Sequence, residues 1–125
     1  MNYRELVGIK YKVHGRTKEE GFDCWGLIVY IFKQEGIELP DPVYTDLENR
    51  GKSRAEIIGS KVFRKIENRK EKSIIEILDK GEPVHVGLYI GEGLMIHCTS
   101  SLGVVIEPIR HYERNIEGWY DVCID

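Results

Sequence analysis

Apolar residues early in the chain recur at the three- and four-residue spacing of an α-helix. They form one continuous stripe: Cys24, Leu27, Ile28, Ile31 and Phe32. Asp23 precedes this stripe and is a good N-cap, because its carboxylate can accept hydrogen bonds from the unpaired N–H groups of a first helical turn. Gly36 is placed to end the helix. The pattern therefore predicts a helix that begins at Cys24 and buries one face.

The segment after this helix is irregular. Prolines, an asparagine and a glycine interrupt the stretch from Ile37 to Lys52, which predicts a long surface loop. The residues from Ser53 to Glu56 have the form of a capping box and predict a short helix that runs towards Ile58. The first half of the chain thus predicts helices joined by a loop.

From Lys61 onward the pattern changes to the alternation of apolar and polar positions that is typical of strands. The predicted strands are Val62–Glu67, Ser73–Leu78, Val84–Ile90, Leu94–Thr99, Val104–Glu107 and Trp119–Ile124. Helices followed by an antiparallel sheet predict an α+β fold. We expect residues 1–125 to form a single domain, since this length suits one compact unit.

The turn at Gly91–Gly93 predicts which residues face each other across the hairpin. Pairing Ile90 with Leu94 places His85 and His97 on one side of the sheet as diagonal neighbours, because side chains alternate between faces. The other pairs that follow are Tyr89 with Met95, Gly87 with His97 and His85 with Thr99. Gly87 is expected to leave open space on the histidine side, which a substrate could occupy.

Composition and charge exclude several classes of function. Hydrophobic residues are 42% and charged residues 31% of the chain, the ordinary balance of a globular protein. A net charge of −3, with acids and bases interspersed, argues against a nucleic-acid partner. The longest uncharged apolar run, Cys24–Phe32, is too short to span a membrane. Met1–Lys10 lacks the apolar segment of a signal peptide, so we expect synthesis in the cytoplasm and no membrane insertion.

Cys24 is the candidate nucleophile. The N–H groups and the dipole of a helix N-terminus favour a thiolate there and can stabilise an oxyanion. His85 and His97 would supply a base and a polar group that orients it. The alternatives are structural: a cysteine that only extends the apolar stripe, and two ordinary half-buried histidines. Cys98 and Cys123 fall in apolar strand patterns and are expected to be buried.

A zinc site is the competing chemical interpretation. Four side chains are potential ligands: Cys24, His85, His97 and Cys98. Adjacent residues on a strand point to opposite faces, so His97 and Cys98 do not easily share one ion. The remaining ligands are too few, and the sequence predicts neither a metal nor another cofactor. His14 and His111 lie in charged surroundings and are expected to be solvated.

Three blocks of sequence resemble the NlpC family of cell-wall cysteine peptidases: Gly21-Phe22-Asp23-Cys24-Trp25-Gly26-Leu27, His85-Val86-Gly87-Leu88-Tyr89-Ile90-Gly91 and Met95-Ile96-His97. The blocks follow the order usual in that family, and the resemblance runs from about Gly8 to Glu107. It implies a papain-like fold in permuted order, with N-terminal helices packed on an antiparallel sheet. It also implies that Cys24 is the nucleophile, His85 the base and His97 the residue that orients the base.

The same resemblance implies a substrate, the peptidoglycan stem peptide, cut between D-γ-glutamate and a diamino acid. Tyr11 and Asp23 match the tyrosine and aspartate that shape the site in the family and hold the amino end of the substrate. Trp25 replaces the small serine that is common after the nucleophile. Two positions are open for its indole: along the cleft wall, in contact with substrate, or packed under the loop Ile37–Lys52.

Features outside the catalytic blocks resemble the phage-tail branch of the family. They are the D-C-W-G-L block itself, Gly36–Pro40 and Glu117–Tyr120. In that branch the enzyme acts at the tip of a tail or during tail assembly, which implies tail proteins as partners and a place in the virion. Two other functions stay open: a tail-assembly module that uses the cleft for binding, and another thiol amidase or acyltransferase on the same scaffold.

Overall fold

The computed structural model describes residues 2–41, 62–79 and 82–123. The helix predicted from Ser53 and most of the predicted loop before it lie outside these residues. The described α-helix is α1 (Cys24–Gln34), and three 3-10 helices cover Tyr3–Leu6, Ile109–His111 and Glu113–Asn115. The strands are β1 (Arg16–Thr17), β2 (Gly21–Phe22), β3 (Phe63–Ile66), β4 (Ile74–Asp79), β5 (Glu82–Gly91), β6 (Leu94–Thr99), β7 (Gly103–Pro108) and β8 (Ile116–Val122).

Six of these strands form one antiparallel sheet in the order β3-β8-β4-β5-β6-β7. Each of the six predicted strands is present, with ends that differ from the prediction by a few residues. The last strand, β8, lies between β3 and β4 and pairs with both. The remaining two strands, β1 and β2, form a small hairpin just before α1.

Helix α1 begins and ends as predicted. The Asp23 side chain accepts a hydrogen bond from the backbone N–H of Gly26, which is the geometry of an N-cap. Gly36 follows the helix with a φ of +82°, a conformation that glycine adopts without strain. All five residues of the predicted apolar stripe are buried. No helix in the described part of the chain is both long and apolar enough to cross a membrane.

The large sheet carries a separate apolar cluster on each face. One face packs against α1 through residues that include Val86, Leu88, Ile96 and Cys98, and we call it the helix face. The opposite face carries Ile75, Ile77, Tyr89, Met95 and the 3-10 residue Ile109. His85 and His97 alternate in step with Tyr89 and Met95, so they belong to this second face, which we call the histidine face.

The β5–β6 hairpin confirms two of the four predicted residue pairs. Gly87 pairs with His97 and Tyr89 pairs with Met95, as expected. The predicted partner of Leu94 is wrong: Gly91 occupies that position instead of Ile90, because a β-bulge adds one residue next to the turn. The bulge lies beyond the histidines, so it leaves the two rings on the same face.

A backbone-to-backbone contact fixes the N-terminal segment over the start of α1. A Cβ on Gly26 would collide with the carbonyl oxygen of Gly15, so only glycine allows this approach. The same segment forms a short parallel bridge in which Tyr11 pairs with Phe22. The chain before the helix thus closes over the first turn of α1.

Candidate active site

Cys24 is the first residue of α1 and is buried. The backbone N–H groups of a first helical turn have no partner within the helix, and together with the helix dipole they favour a negative charge. A thiolate at this position is stabilised by them. The helix start is therefore a position that favours a thiolate and that can donate hydrogen bonds to an oxyanion.

Asp23 is engaged by three donors. Its Oδ1 accepts hydrogen bonds from the Gly26 N–H at 2.7 Å and from Nη1 of Arg16 at 2.9 Å, and its Oδ2 accepts from the His14 N–H at 3.2 Å. Arg16 also binds Asp41 through two hydrogen bonds of 2.8 and 2.9 Å. The role of Asp23 as a cap is confirmed, whereas its ionic partner Arg16 was not predicted from the sequence.

The two histidines meet as the register predicts. Nε2 of His85 lies 2.8 Å from Nδ1 of His97, and the ring centroids are 5.1 Å apart. Gly87 next to them is itself buried, and a Cβ there would lie 3.3 Å from the Cβ of His97. The expectation of open space beside Gly87 is therefore wrong. The glycine instead allows the buried ring of His97 to pack closely against β5.

Glu107 on β7 is a member of the cluster that the sequence analysis missed. Its Oε2 lies 2.6 Å from Nε2 of His97 and accepts a hydrogen bond of 2.8 Å from the Tyr112 hydroxyl. Its Oε1 lies 3.7 Å from Nδ1 of His111. The signal was present, since His97 pairs with Val105 and the alternation puts Glu107 on the same face, diagonal to His97.

The protonation states of this cluster follow from burial and hydrogen bonding. Burial lowers the pKa of His97, even though the hydrogen bond to Glu107 acts in the opposite direction. Burial opposes ionisation of Glu107, but its hydrogen bonds from His97 and Tyr112 outweigh this and lower its pKa. Burial and the carboxylate of Glu107 raise the pKa of Tyr112 to about 12. Near neutral pH, His97 is uncharged, Glu107 is ionised and Tyr112 keeps its proton.

These states determine which ring nitrogens carry hydrogen. An ionised carboxylate only accepts hydrogen bonds, so Nε2 of His97 must be the donor to Glu107. Nδ1 of His97 then has a lone pair and accepts a hydrogen bond from Nε2–H of His85. Neutral His85 consequently has its proton on Nε2, and its Nδ1 is the nitrogen that can take up a proton. The arrangement has the chemistry of a general base held in one tautomer.

Cys98 differs from Cys24 although both thiols are buried. Its Sγ donates a hydrogen bond to the carbonyl oxygen of Phe22 at 3.1 Å. Burial, with smaller contributions from Cys24 and Asp23, raises the pKa of the Cys98 thiol to about 12. The third cysteine, Cys123, lies just beyond β8 and is half-buried, so its predicted place in a strand is wrong.

The structure separates two of the four ligands considered for zinc. His97 points to Glu107 on the histidine face, whereas Cys98 lies on the helix face. Among residues 2–41, 62–79 and 82–123, no group of three or more His, Cys, Asp or Glu side chains is arranged to hold a metal ion. His14 and His111 are exposed, as expected.

Trp25 packs under the segment that follows α1. Its side chain is 0% exposed, its Nε1 donates to the carbonyl oxygen of Pro40 at 3.2 Å, and its ring meets the Phe63 ring edge-on at 5.8 Å. This corrects the expectation that Trp25 contacts substrate, because the indole has no surface that a substrate can reach. Tyr11 is half-buried beside Phe22 and so lies next to the segment that leads into the nucleophile.

Comparison with known proteins identifies relatives over most of the chain. A family model described as the NlpC/P60 family matches residues 8–117. The chain is 39% identical over 107 residues to the γ-DL-glutamyl hydrolase of Bacillus subtilis (strain 168). That alignment covers 82% of this chain and 23% of the relative. It is also 30% identical over 109 residues to the murein DD-endopeptidase MepS/murein LD-carboxypeptidase of Escherichia coli (strain K12). That alignment covers 86% of this chain and 52% of the relative.

A solved structure has the same fold. The crystal structure of an NlpC/P60 family protein from Bacillus cereus ATCC 10987 superposes with a TM-score of 0.71 and 25% identity, covering 94% of this chain and 36% of that one. The chain spans about half or less of the length of the curated relatives described above. The likeness confirms the predicted α+β, papain-like architecture of the NlpC type. Fold and sequence agree over nearly the whole chain, which belongs to the NlpC/P60 family.

Proposed function

We propose that this chain is a cysteine endopeptidase that hydrolyses peptidoglycan stem peptides, with Cys24 as nucleophile, His85 as base and His97 as the residue that orients the base. The observation that carries the proposal is the hydrogen-bonded chain from His85 through His97 to Glu107, with distances of 2.8 and 2.6 Å. Such a chain holds a base in one tautomer, which nucleophilic catalysis requires and a structural core does not. The two relatives named as hydrolase and endopeptidase support the same class of reaction.

The proposed reaction has two stages. His85 accepts the thiol proton on Nδ1, and the Cys24 thiolate attacks the carbonyl carbon of the scissile bond. The N–H groups at the start of α1 stabilise the resulting oxyanion. As the C–N bond breaks, His85 returns the proton to the leaving amine, and a thioester remains on Cys24. Water, deprotonated by His85, then hydrolyses the thioester and restores the thiol.

The scissile bond that we propose joins D-γ-glutamate to a diamino acid. Support for this bond comes from the name of one relative, a γ-DL-glutamyl hydrolase, while the name of the other, a murein DD-endopeptidase and LD-carboxypeptidase, supports only a murein peptide as substrate. Tyr11 and Asp23 are the proposed contacts for the amino end of the substrate. Asp23 already binds Arg16, so a substrate ammonium group would share its carboxylate with the guanidinium group.

A place in a phage tail is a finer part of the proposal. It is supported by the sequence blocks around Cys24, at Gly36–Pro40 and at Glu117–Tyr120. We propose that the chain associates with tail proteins. Mass spectrometry of purified tail particles would detect peptides of this chain if it is a tail component. Their absence from intact particles would contradict this part of the proposal.

The reaction is tested by incubating the purified protein with muropeptides of defined stem sequence and identifying the products by mass. The expected products are a fragment that ends in D-glutamate and a fragment that begins with the diamino acid. Cys24→Ala is the control and should release neither fragment. Binding of muropeptides without cleavage would instead support a binding module, and cleavage of a different acyl bond would support another thiol amidase.

A further inference from the structure

We infer that Glu107 is a positioning residue that extends the catalytic set to four members: Cys24, His85, His97 and Glu107. Its carboxylate holds His97 in the tautomer that keeps His85 a base, and Tyr112 holds the carboxylate in place. The inference rests on the proposed function, because it assigns a role within that same reaction.

His97 is enclosed by the protein on all sides. Its side chain is 1% exposed, so water does not supply hydrogen bonds to its ring. His85 is the partner of Nδ1 and Glu107 the partner of Nε2. The tautomer of His97 is therefore decided by whether the group at Nε2 accepts or donates, and a carboxylate can only accept.

Glu107 also supplies the negative charge that the proposed base requires. When His85 takes the thiol proton, a positive charge forms on its ring, and the neutral His97 beside it does not balance that charge. Glu107 is the anion at the end of the hydrogen-bonded chain, and its side chain is 26% exposed, so solvent screens it only in part. His97 transmits the interaction because it donates to Glu107 and accepts from His85. A carboxylate that orients and balances a catalytic imidazole is a known arrangement in nucleophilic enzymes.

Neighbouring side chains hold the Glu107 carboxylate in place. The Tyr112 hydroxyl donates to the same oxygen, Oε2, that His97 contacts, and the Tyr112 ring meets the His97 ring edge-on at 5.2 Å. Tyr112 lies between the two short 3-10 helices that follow β7. One residue thus fixes both the carboxylate and the imidazole, while His111 lies 3.7 Å from the second carboxylate oxygen. A surface glutamate without a function in the site would not require two neutral donors on one oxygen.

The test compares Glu107→Gln with Glu113→Gln, an equal change of charge at an exposed position in the adjacent 3-10 helix. The amide of Glu107→Gln can donate to Nε2 of His97, which moves the ring proton of His97 to Nδ1. Nδ1–H then donates to Nε2 of His85, so neutral His85 carries its proton on Nδ1, the nitrogen that has to accept the thiol proton. We expect kcat on muropeptides to fall about 10- to 100-fold, which is the loss usual when the hydrogen-bond partner of a metal-binding histidine is removed. KM should change by less than about twofold. Glu113→Gln should keep both constants, and Tyr112→Phe should lose activity to a smaller extent than Glu107→Gln.

A second measurement reads the tautomer directly. In the wild-type protein, ¹⁵N NMR of the histidine rings should show the proton of His97 on Nε2, and in Glu107→Gln it should show at least part of it on Nδ1. A wild-type protein with the proton on Nδ1 would overturn the inference without any variant. A folded Glu107→Gln with wild-type kcat and an unchanged His97 spectrum would also overturn it. If the wild-type protein cleaves no muropeptide, the proposed function fails, whereas the tautomer measurement still decides the role of Glu107.

Discussion

The two faces of the large sheet bury different kinds of side chain. On the helix face, apolar side chains and the inert thiol of Cys98 pack against α1. On the histidine face, a buried imidazole is kept because each of its nitrogens has a partner. His97 and Cys98 are adjacent on β6, yet one belongs to the proposed catalytic chain and the other to the core. The difference shows that strand alternation decides which of two reactive residues joins the hydrogen-bonded histidines and which joins the apolar core.

The largest expected effect comes from breaking the hydrogen-bonded chain of His85, His97 and Glu107 on the histidine face. His85→Ala removes the proposed base and should nearly abolish turnover, by about 10²- to 10⁴-fold. His97→Asn should retain measurable activity, because an asparagine amide can still accept an orienting hydrogen bond. We expect the loss at His85 to exceed the loss at His97 by about tenfold or more. Steady-state kinetics on one muropeptide would check this, and equal losses would show that the pair acts as a unit.

A substitution at Trp25, which follows Cys24 in α1, should lower the stability of the fold and leave the reaction unchanged. Trp25→Ser removes a completely buried indole, its hydrogen bond to Pro40 and its contact with Phe63. The free energy of unfolding should fall by about 3 kcal/mol or more, as it does for large aromatic truncations in cores. Thermal and denaturant unfolding measure this loss. Trp119→Ser, at a half-buried tryptophan, is the control and should cost less.

The preference among stem peptides should remain unchanged in Trp25→Ser at temperatures where the variant is folded. A changed preference with an unaltered melting temperature would contradict the buried position of the indole.

The two buried cysteines offer a direct chemical comparison. Cys24 lies at a helix N-terminus that favours thiolate, whereas the pKa of Cys98 is raised to about 12. Iodoacetamide near neutral pH should therefore label Cys24 and leave Cys98 unmodified in the folded protein. Peptide mapping by mass spectrometry reads the sites, with denatured protein as the control in which both are labelled. Faster labelling at Cys98 in the folded protein would overturn the assignment of the nucleophile.

The smallest expected effect is at Gly87, which packs closely against His97 on the histidine face. The added Cβ of Gly87→Ala would press on the Cβ of His97, so the ring must shift by a few tenths of an ångström. We expect a loss of about 1 kcal/mol or more in stability, as overpacking usually costs, together with a fall in kcat of about tenfold or less. Gly93→Ala tests the turn alone and should leave kcat unchanged. Wild-type kinetics in Gly87→Ala would show that the position of His97 tolerates this displacement.

Local signals explain why much of the fold could be predicted from the sequence. The cap at Asp23 and the apolar stripe depend on residues within a few turns of each other, so periodicity is sufficient to place α1. The facing of His85 and His97 depends only on alternation across one tight hairpin. The bulge at Gly91 was missed because an extra residue near a turn leaves the alternation of the remaining strand unchanged.

The features that were missed are contacts between distant parts of the chain. Arg16 lies before α1 in the sequence and binds Asp41, which lies after it, and no spacing rule connects those positions. Glu107 would have required the register to be extended to a third strand. Trp25 had two open interpretations because the sequence around it does not show which segment covers the indole. Tertiary packing, not local propensity, decides all three.

The place of β8 in the sheet has a consequence for how the protein is made. Strand β3 pairs with β8, which completes the sheet between β3 and β4 only after residue 122 has been added. At the usual rate of about 5–20 residues per second, β3 waits several seconds on the ribosome for its partner. The backbone N–H and C=O groups of β3 that later pair with β8 remain available to other strands during that interval. We therefore expect the nascent chain to pair with other chains more readily before β8 has been made than after.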